Sequence, residues 1–128
     1  MAEEEALSEA RVDQDRDEIY RAFHGRMQAS YLRTLVSPEV VEEHRLKPLG
    51  QHSEPLARLL HFFQERPVAG QYAVLHEREG GTFRIVALSG IRGVAPKPVG
   101  EERYATAEAA YHGLFLRRIE ELMGGKVG

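Results

Sequence analysis

The sequence predicts an α+β fold: N-terminal helices followed by an antiparallel β-hairpin, with a candidate third strand, covered by a C-terminal helix. Three observations carry this. Apolar residues recur at helical spacing from about residue 15 to Phe63. The period then falls to 2 in the runs Gln71–Glu77 and Thr82–Leu88, which meet at Glu79-Gly80-Gly81. Helical spacing returns in one apolar stripe that opens at Thr106 and stops at Gly124-Gly125.

The first 14 residues are acidic and lack sustained apolar periodicity, so they read as a flexible tail ahead of one domain spanning 15–128. Asp15, Asp17 and Glu18 then place negative charge where a helix dipole is positive. Ile19, Phe23, Met27 and Tyr31 recur every four residues, predicting a helix over about 15–36 with Gly25 as its weak point. Its apolar band is broad, and Tyr20 and Tyr31 put hydroxyls on it. Such a band serves either packing on the core or a partner interface.

Ser37-Pro38-Glu39 is a helix start: an N-cap, a proline at the first position and an acid in the first turn. Lys47-Pro48-Leu49-Gly50 ends that short helix. Ser53-Glu54-Pro55 starts another, with Leu56, Leu59, Leu60 and Phe63 as its buried stripe, and Arg66-Pro67 as its stop. In the hairpin, Tyr72, Val74 and His76 share a face, as do Phe83, Ile85 and Ala87. Ser89–Gly100 reads as a Gly- and Pro-rich loop, and Glu101–Ala105 as the candidate third strand. The last helix carries Ala107, Ala110, Tyr111, Leu114, Phe115, Ile119, Leu122 and Met123 on one stripe.

Bulk properties set outer limits. The 128 residues suit one domain, with 42% hydrophobic and 29% charged residues. No cysteine is present, which excludes disulfides, thiolate zinc sites and a cysteine nucleophile, and agrees with a cytoplasmic location. No run approaches the roughly 18 apolar residues of a membrane span, and the acidic start is unlike a signal peptide. The net charge of −3 divides into −6 for residues 1–18 and +3 for the remainder. A surplus of +3 over a whole domain is too weak to indicate nucleic acid.

Motifs of chemistry are missing. The six histidines, His24, His44, His52, His61, His76 and His112, form no i, i+4 pair on one helix, and no HExxH occurs. His44 and His52 flank a loop near a candidate functional surface. Glu42-Glu43 and Glu120-Glu121 are sequence neighbours about 100° apart on a helix, so neither is a carboxylate dyad. Ser53 lies in no GxSxG elbow, and Gly80 and Gly81 lack a P-loop lysine. The residues therefore name no catalytic, cofactor-binding or metal-binding side chain. What they offer is surface: Leu116, Arg117 and Arg118 beside the last helix's stripe, together with Tyr20 and Tyr31, are the candidate partner interface.

Two resemblances bear on function. A hairpin followed by Tyr104-x-Thr106-x-Glu108-x-Ala110 resembles the arm-binding domain of phage integrases. That implies a stand-alone binding module for DNA or protein, with Arg78 and Arg84 on its sheet. More extensively, Pro38-Glu39-Val40-Val41-Glu42-Glu43-His44, Gly70-Gln71-Tyr72, Glu77-Arg78-Glu79, Phe83-Arg84-Ile85 and Phe115-Leu116-Arg117-Arg118-Ile119-Glu120 resemble the small (light, or alpha) subunit of N,N-dimethylformamidase. Glu102-Arg103-Tyr104 and Thr106-x-Glu108-x-Ala110 precede the last helix in the same order, and the likeness runs from about 15 to 123. It implies a non-catalytic small subunit in a hetero-oligomer, α2β2 or a multiple, with a much larger chain. That complex is a hydrolase, an amidohydrolase that splits N,N-dimethylformamide into dimethylamine and formate. Its mononuclear iron is held by tyrosine and glutamate side chains of the large subunit. No nucleic acid and no membrane are implied as partners.

Overall fold

The computed structural model describes residues 2–65 and 68–124, with side chains from residue 16 onward. The elements run α1 (Ala2–Arg33), α2 (Pro38–Leu46), α3 (Glu54–Gln64), β1 (Tyr72–His76), β2 (Phe83–Ala87), β3 (Lys97–Pro98) and α4 (Ala107–Leu122). This is the expected α+β order of helices, hairpin and covering helix. The chain divides into two compact units, residues 1–34 and 35–128. That boundary falls after the first helix, whereas the sequence places one at the end of the acidic segment.

The first unit is the single helix α1. Its helical backbone begins 13 residues earlier than the periodicity suggests and includes the acidic segment. Gly25 does not interrupt it. Ile19, Tyr20, Phe23, Met27 and Tyr31 are all exposed along it.

In the second unit the caps explain the helix boundaries. Ser37 is extended and its hydroxyl accepts from the Val40 amide at 3.2 Å, with Pro38 at the first helical position. Thr106 does the same for α4, accepting from the Ala109 amide at 3.1 Å. Ser53 behaves differently. It precedes α3 but makes no side-chain cap; its amide and hydroxyl both donate to the Glu43 carboxylate, at 2.7 and 2.6 Å. Those bonds tie the end of α2 to the start of α3 and hold the Glu43 carboxyl below its ordinary pKa. α3 ends at Gln64; the Arg66-Pro67 stop lies outside the described residues, as does Gly125 after α4.

The sheet is antiparallel in the order β1-β2-β3. Tyr72 pairs with Ala87, Val74 with Ile85 and His76 with Phe83, so these six side chains share one face. Gly80 and Gly81 turn the hairpin at φ +84° and +66°, the left-handed region that glycine enters without a Cβ clash. The third strand is not Glu101–Ala105. Lys97–Pro98, within the loop, pairs with Ala87 and Val86, and the following Val99 amide donates to Ile85 O at 2.9 Å. Proline is tolerated there because β3 is an edge strand. Tyr104 adds one bridge, exchanging two 2.8 Å bonds with Phe83. Ile85 and Val86 point to opposite faces yet are both buried, so the sheet is apolar on both sides near its centre.

α4 lies on the Tyr72–Ile85 face. Ala110, Phe115, Ile119 and Leu122 are its buried apolar residues, and they are joined in the core by Val40 of α2 and by Leu56, Leu59 and Phe63 of α3. Gly113 sits mid-helix where the Tyr104 ring crosses: a Cβ there would lie 2.7 Å from Tyr104 Cζ.

Candidate functional site

The last turns of α4 hold an arginine that the apolar spacing conceals. Arg118 follows Tyr111 by seven residues and Phe115 by three, which puts it on the buried stripe. It is 4% exposed. One guanidinium nitrogen reaches Glu121 at 3.2 Å and another bonds Gln71 Oε1, while the guanidinium lies 4.1 Å from the Tyr72 ring centroid. Gln71 in turn donates to Phe63 O at 3.2 Å, and the Tyr72 hydroxyl bonds Glu121. Burial first, and then the Glu121 bond, push the Tyr72 phenol up. A charge taken out of water needs such a full set of partners.

A cleft of about 430 Å³ opens beside this network. Leu60, Phe63, Leu114 and Phe115 give it apolar walls, Gln71, Tyr72 and Arg118 stand on one side, and Pro48–Gly50 with Tyr111 form its rim. His44 also lines it, 2% exposed. Its ring stacks on Phe115 with centroids 4.0 Å apart and planes 16° from parallel. Its Nδ1 is 2.9 Å from Nδ1 of His112, so one ring donates its proton to the other. The His52 ring centroid lies 6.2 Å from that of His44, and its Nε2 bonds Lys47 O at 2.7 Å. Burial, and then the neighbouring His112 and His52, lower the His44 pKa to about 4, leaving it neutral near pH 7. His112 is lowered too, by burial and then by Arg45.

Of the residues singled out from sequence, Arg118 is thus internal, where the sequence places it on a partner-facing edge. Arg117 is half-buried, its guanidinium 5.9 Å from the Tyr72 centroid. Leu116 is 38% exposed and borders a second hollow of about 190 Å³ with Val99, Gly100, Tyr104 and Arg117. Tyr20 and Tyr31 lie on α1, in the other unit, 63% and 50% exposed. The structure therefore gathers Leu116 and Arg117 on α4 in one unit, and Tyr20 and Tyr31 on α1 in the other. His44 and His52 do come together, and His112, 68 residues further on, completes the group. The signal for His112 was its place three residues before Phe115 on the α4 stripe.

Arg84, proposed for a DNA-reading sheet, is turned to the protein. Its Nη2 donates to Gly100 O at 2.9 Å, its Nη1 is 4.0 Å from Glu77, and its buried Nε makes no hydrogen bond. Among the described residues no group of three or more His, Cys, Asp or Glu side chains is arranged to hold a metal ion. Among them, too, no helix is long and apolar enough to cross a membrane.

Comparison with known proteins connects these surfaces to a family. The family described as N,N-dimethylformamidase alpha subunit matches residues 18–127. The chain belongs to that family. It is 34% identical over 113 residues to an N,N-dimethylformamidase alpha subunit from Alcaligenes sp, covering 84% of each chain. It is 36% identical over 89 residues to another of that name from Paracoccus aminophilus, covering 66% of this chain and 61% of that one. The family match takes in the cleft, the Arg118 network and both candidate interface surfaces.

Proposed function

We propose that this chain is the non-catalytic small subunit of an N,N-dimethylformamidase-like amidohydrolase complex in the cytoplasm. The family match over residues 18–127 carries the reading. The complex hydrolyses N,N-dimethylformamide to dimethylamine and formate, and its mononuclear iron resides on a larger partner chain. Among the described residues the histidine group is three imidazoles in a stack, two of them bonded to each other, and no group of three or more His, Cys, Asp or Glu side chains is arranged to hold a metal ion. When bound to the partner, the iron would polarise the amide and activate water there.

What this chain contributes is a surface and a rigid backing. On α1, Ile19, Phe23, Met27 and Tyr31 form an exposed row with Tyr20 beside it, a composition suited to burial against protein. On α4, Leu116 is exposed beside Arg117, and the buried Arg118 acts from beneath by fixing Tyr72 and Gln71. In this reading residues 15–128 work as one domain in the hetero-oligomer and the acidic segment is an appendage.

Co-purification tests it. The tagged full chain, expressed with its neighbouring reading frames, is expected to bring down a large iron-containing chain, with amide hydrolysis in the complex and none in the isolated small chain. Amidase activity or stoichiometric iron in the small chain alone would overturn the assignment.

A further inference from the structure

Helix α1 carries its large apolar side chains on an exposed side. Ile19, Phe23, Met27 and Tyr31 follow at steps of four residues, each step turning about 40° beyond a full circle. The row therefore sweeps about a third of the circumference, with Tyr20 inside it. All five side chains are half or more exposed. His24 gathers part of the row into one aromatic surface, its ring centroid 4.8 Å from that of Tyr20 and 6.0 Å from that of Phe23. Leu32, 4% exposed, falls about 160° from the middle of the row, so the covered side of α1 is the other one.

The charges of the same helix select what covers the row. Residues 1–18 carry a net −6, whereas residues 19–33 hold Arg21, Arg26 and Arg33 and no acid. A parallel neighbour of the same sequence would oppose like halves. An antiparallel one sets each acidic half toward a basic half and opposes the helix dipoles as well. An isologous contact needs a patch that is complementary to itself. Here one helix supplies the apolar row, with Asp17 and Glu18 before it and Arg33 after it.

We propose that the α1 row pairs antiparallel with the α1 row of a second copy of this chain. Symmetry about Gly25 then sets Ile19 against Tyr31 of the second copy, Phe23 against Met27, and Asp17 against Arg33. A thioether beside a phenyl ring is a favourable contact. The apolar row supplies affinity and the end charges fix direction. The pairing needs only this chain; its use rests on the subunit reading, in which two joined copies present two α4 surfaces and hold large chains by avidity.

Sedimentation equilibrium of the isolated full chain, from about 1 to 300 μM, tests it. Reversible dimers are expected, with Phe23→Glu weakening them at least tenfold. Asp17→Lys with Glu18→Lys makes both ends of the row basic, and Arg26→Glu with Arg33→Glu makes both acidic. Each double variant is expected to pair at least fivefold more weakly than the wild type, and their equimolar mixture to recover pairing. Circular dichroism checks that each keeps its helix content. The chain has no cysteine, so Phe23→Cys mixed with Met27→Cys reads the direction. Mild oxidation is expected to join the two variants to each other in preference to themselves. A chain that stays monomeric, a mixture no stronger than its components, or like-with-like cross-links would overturn the pairing. So would Phe23→Glu weakening capture of the large chain while self-association persists, since the row would then belong to that chain. Capture of the large chain by a monomeric small chain sinks the pairing alone; dimers that capture no large chain sink the subunit reading alone.

Discussion

His44 shows how one side chain links packing to pH. Its folded pKa of about 4 lies below the ordinary 6.5, because burial and neighbouring imidazoles disfavour the charged ring. Between those values the unfolded chain binds more protons than the folded one. Stability is therefore complete above pH 6.5 and is lost as pH falls toward 4, by of order 2 kcal/mol from this group. Urea unfolding at pH 7.5 and 4.5 measures it; His44→Phe, which cannot titrate, is expected to flatten that part of the profile. Arg118 gives a second expectation. Arg118→Met leaves Gln71 Oε1 without its donor and Glu121 without its cation, at a cost of about 3 kcal/mol. Arg118→Lys is not expected to rescue it, because one ammonium cannot reproduce a planar fork bonded on two sides and stacked on Tyr72. Recovery of the wild-type urea midpoint by lysine would count against the network.

At the scale of elements, α4 combines two opposed demands. A glycine inside a helix ordinarily costs about 1 kcal/mol relative to alanine, so Gly113→Ala would be stabilising on propensity alone. The Tyr104 ring occupies the space of that Cβ. The substitution is therefore expected to destabilise by about 1 to 3 kcal/mol, as overpacking does, and to free the Tyr104 hydroxyl from Glu102. Burial and the Glu102 bond raise the Tyr104 phenol to about 12, so a fall in its titration midpoint in the alanine variant reports that release. The same helix shows what periodicity can and cannot reveal. Thr106, Phe115, Ile119 and Leu122 were legible because caps and stripes are local patterns. Arg118 fell on the stripe by spacing but was read by its charge. β3 was illegible because Lys97-Pro98 has no strand composition; its pairing depends on Ile85, Val86 and Ala87 already being in place. Ser53 looked like a cap because its residue type is right, while its two bonds go to Glu43, ten residues back.

At the scale of the whole molecule, the cleft and the candidate interface are long-range products. The cleft needs His44, Phe63, Tyr72 and Arg118 from four separate stretches, and no window of sequence contains them together. The interface can be tested through residues that do nothing visible for the fold. Phe23 on α1 is 51% exposed, and Leu116 on α4 is also open to solvent. Exposed substitutions away from caps and ion pairs usually change stability by no more than about 0.5 kcal/mol. Central apolar residues of an interface, by contrast, often carry about 2 kcal/mol or more of binding. Phe23→Glu and Leu116→Glu are therefore expected to leave the urea midpoint of the isolated chain unchanged and to weaken capture of the large chain at least tenfold. The two surfaces belong to different units, so each variant is informative alone. If Phe23→Glu is silent and Leu116→Glu is not, α4 is the docking element and the α1 row serves another contact. If both variants retain full capture at matched expression, the partner uses neither surface and the interface assignment falls.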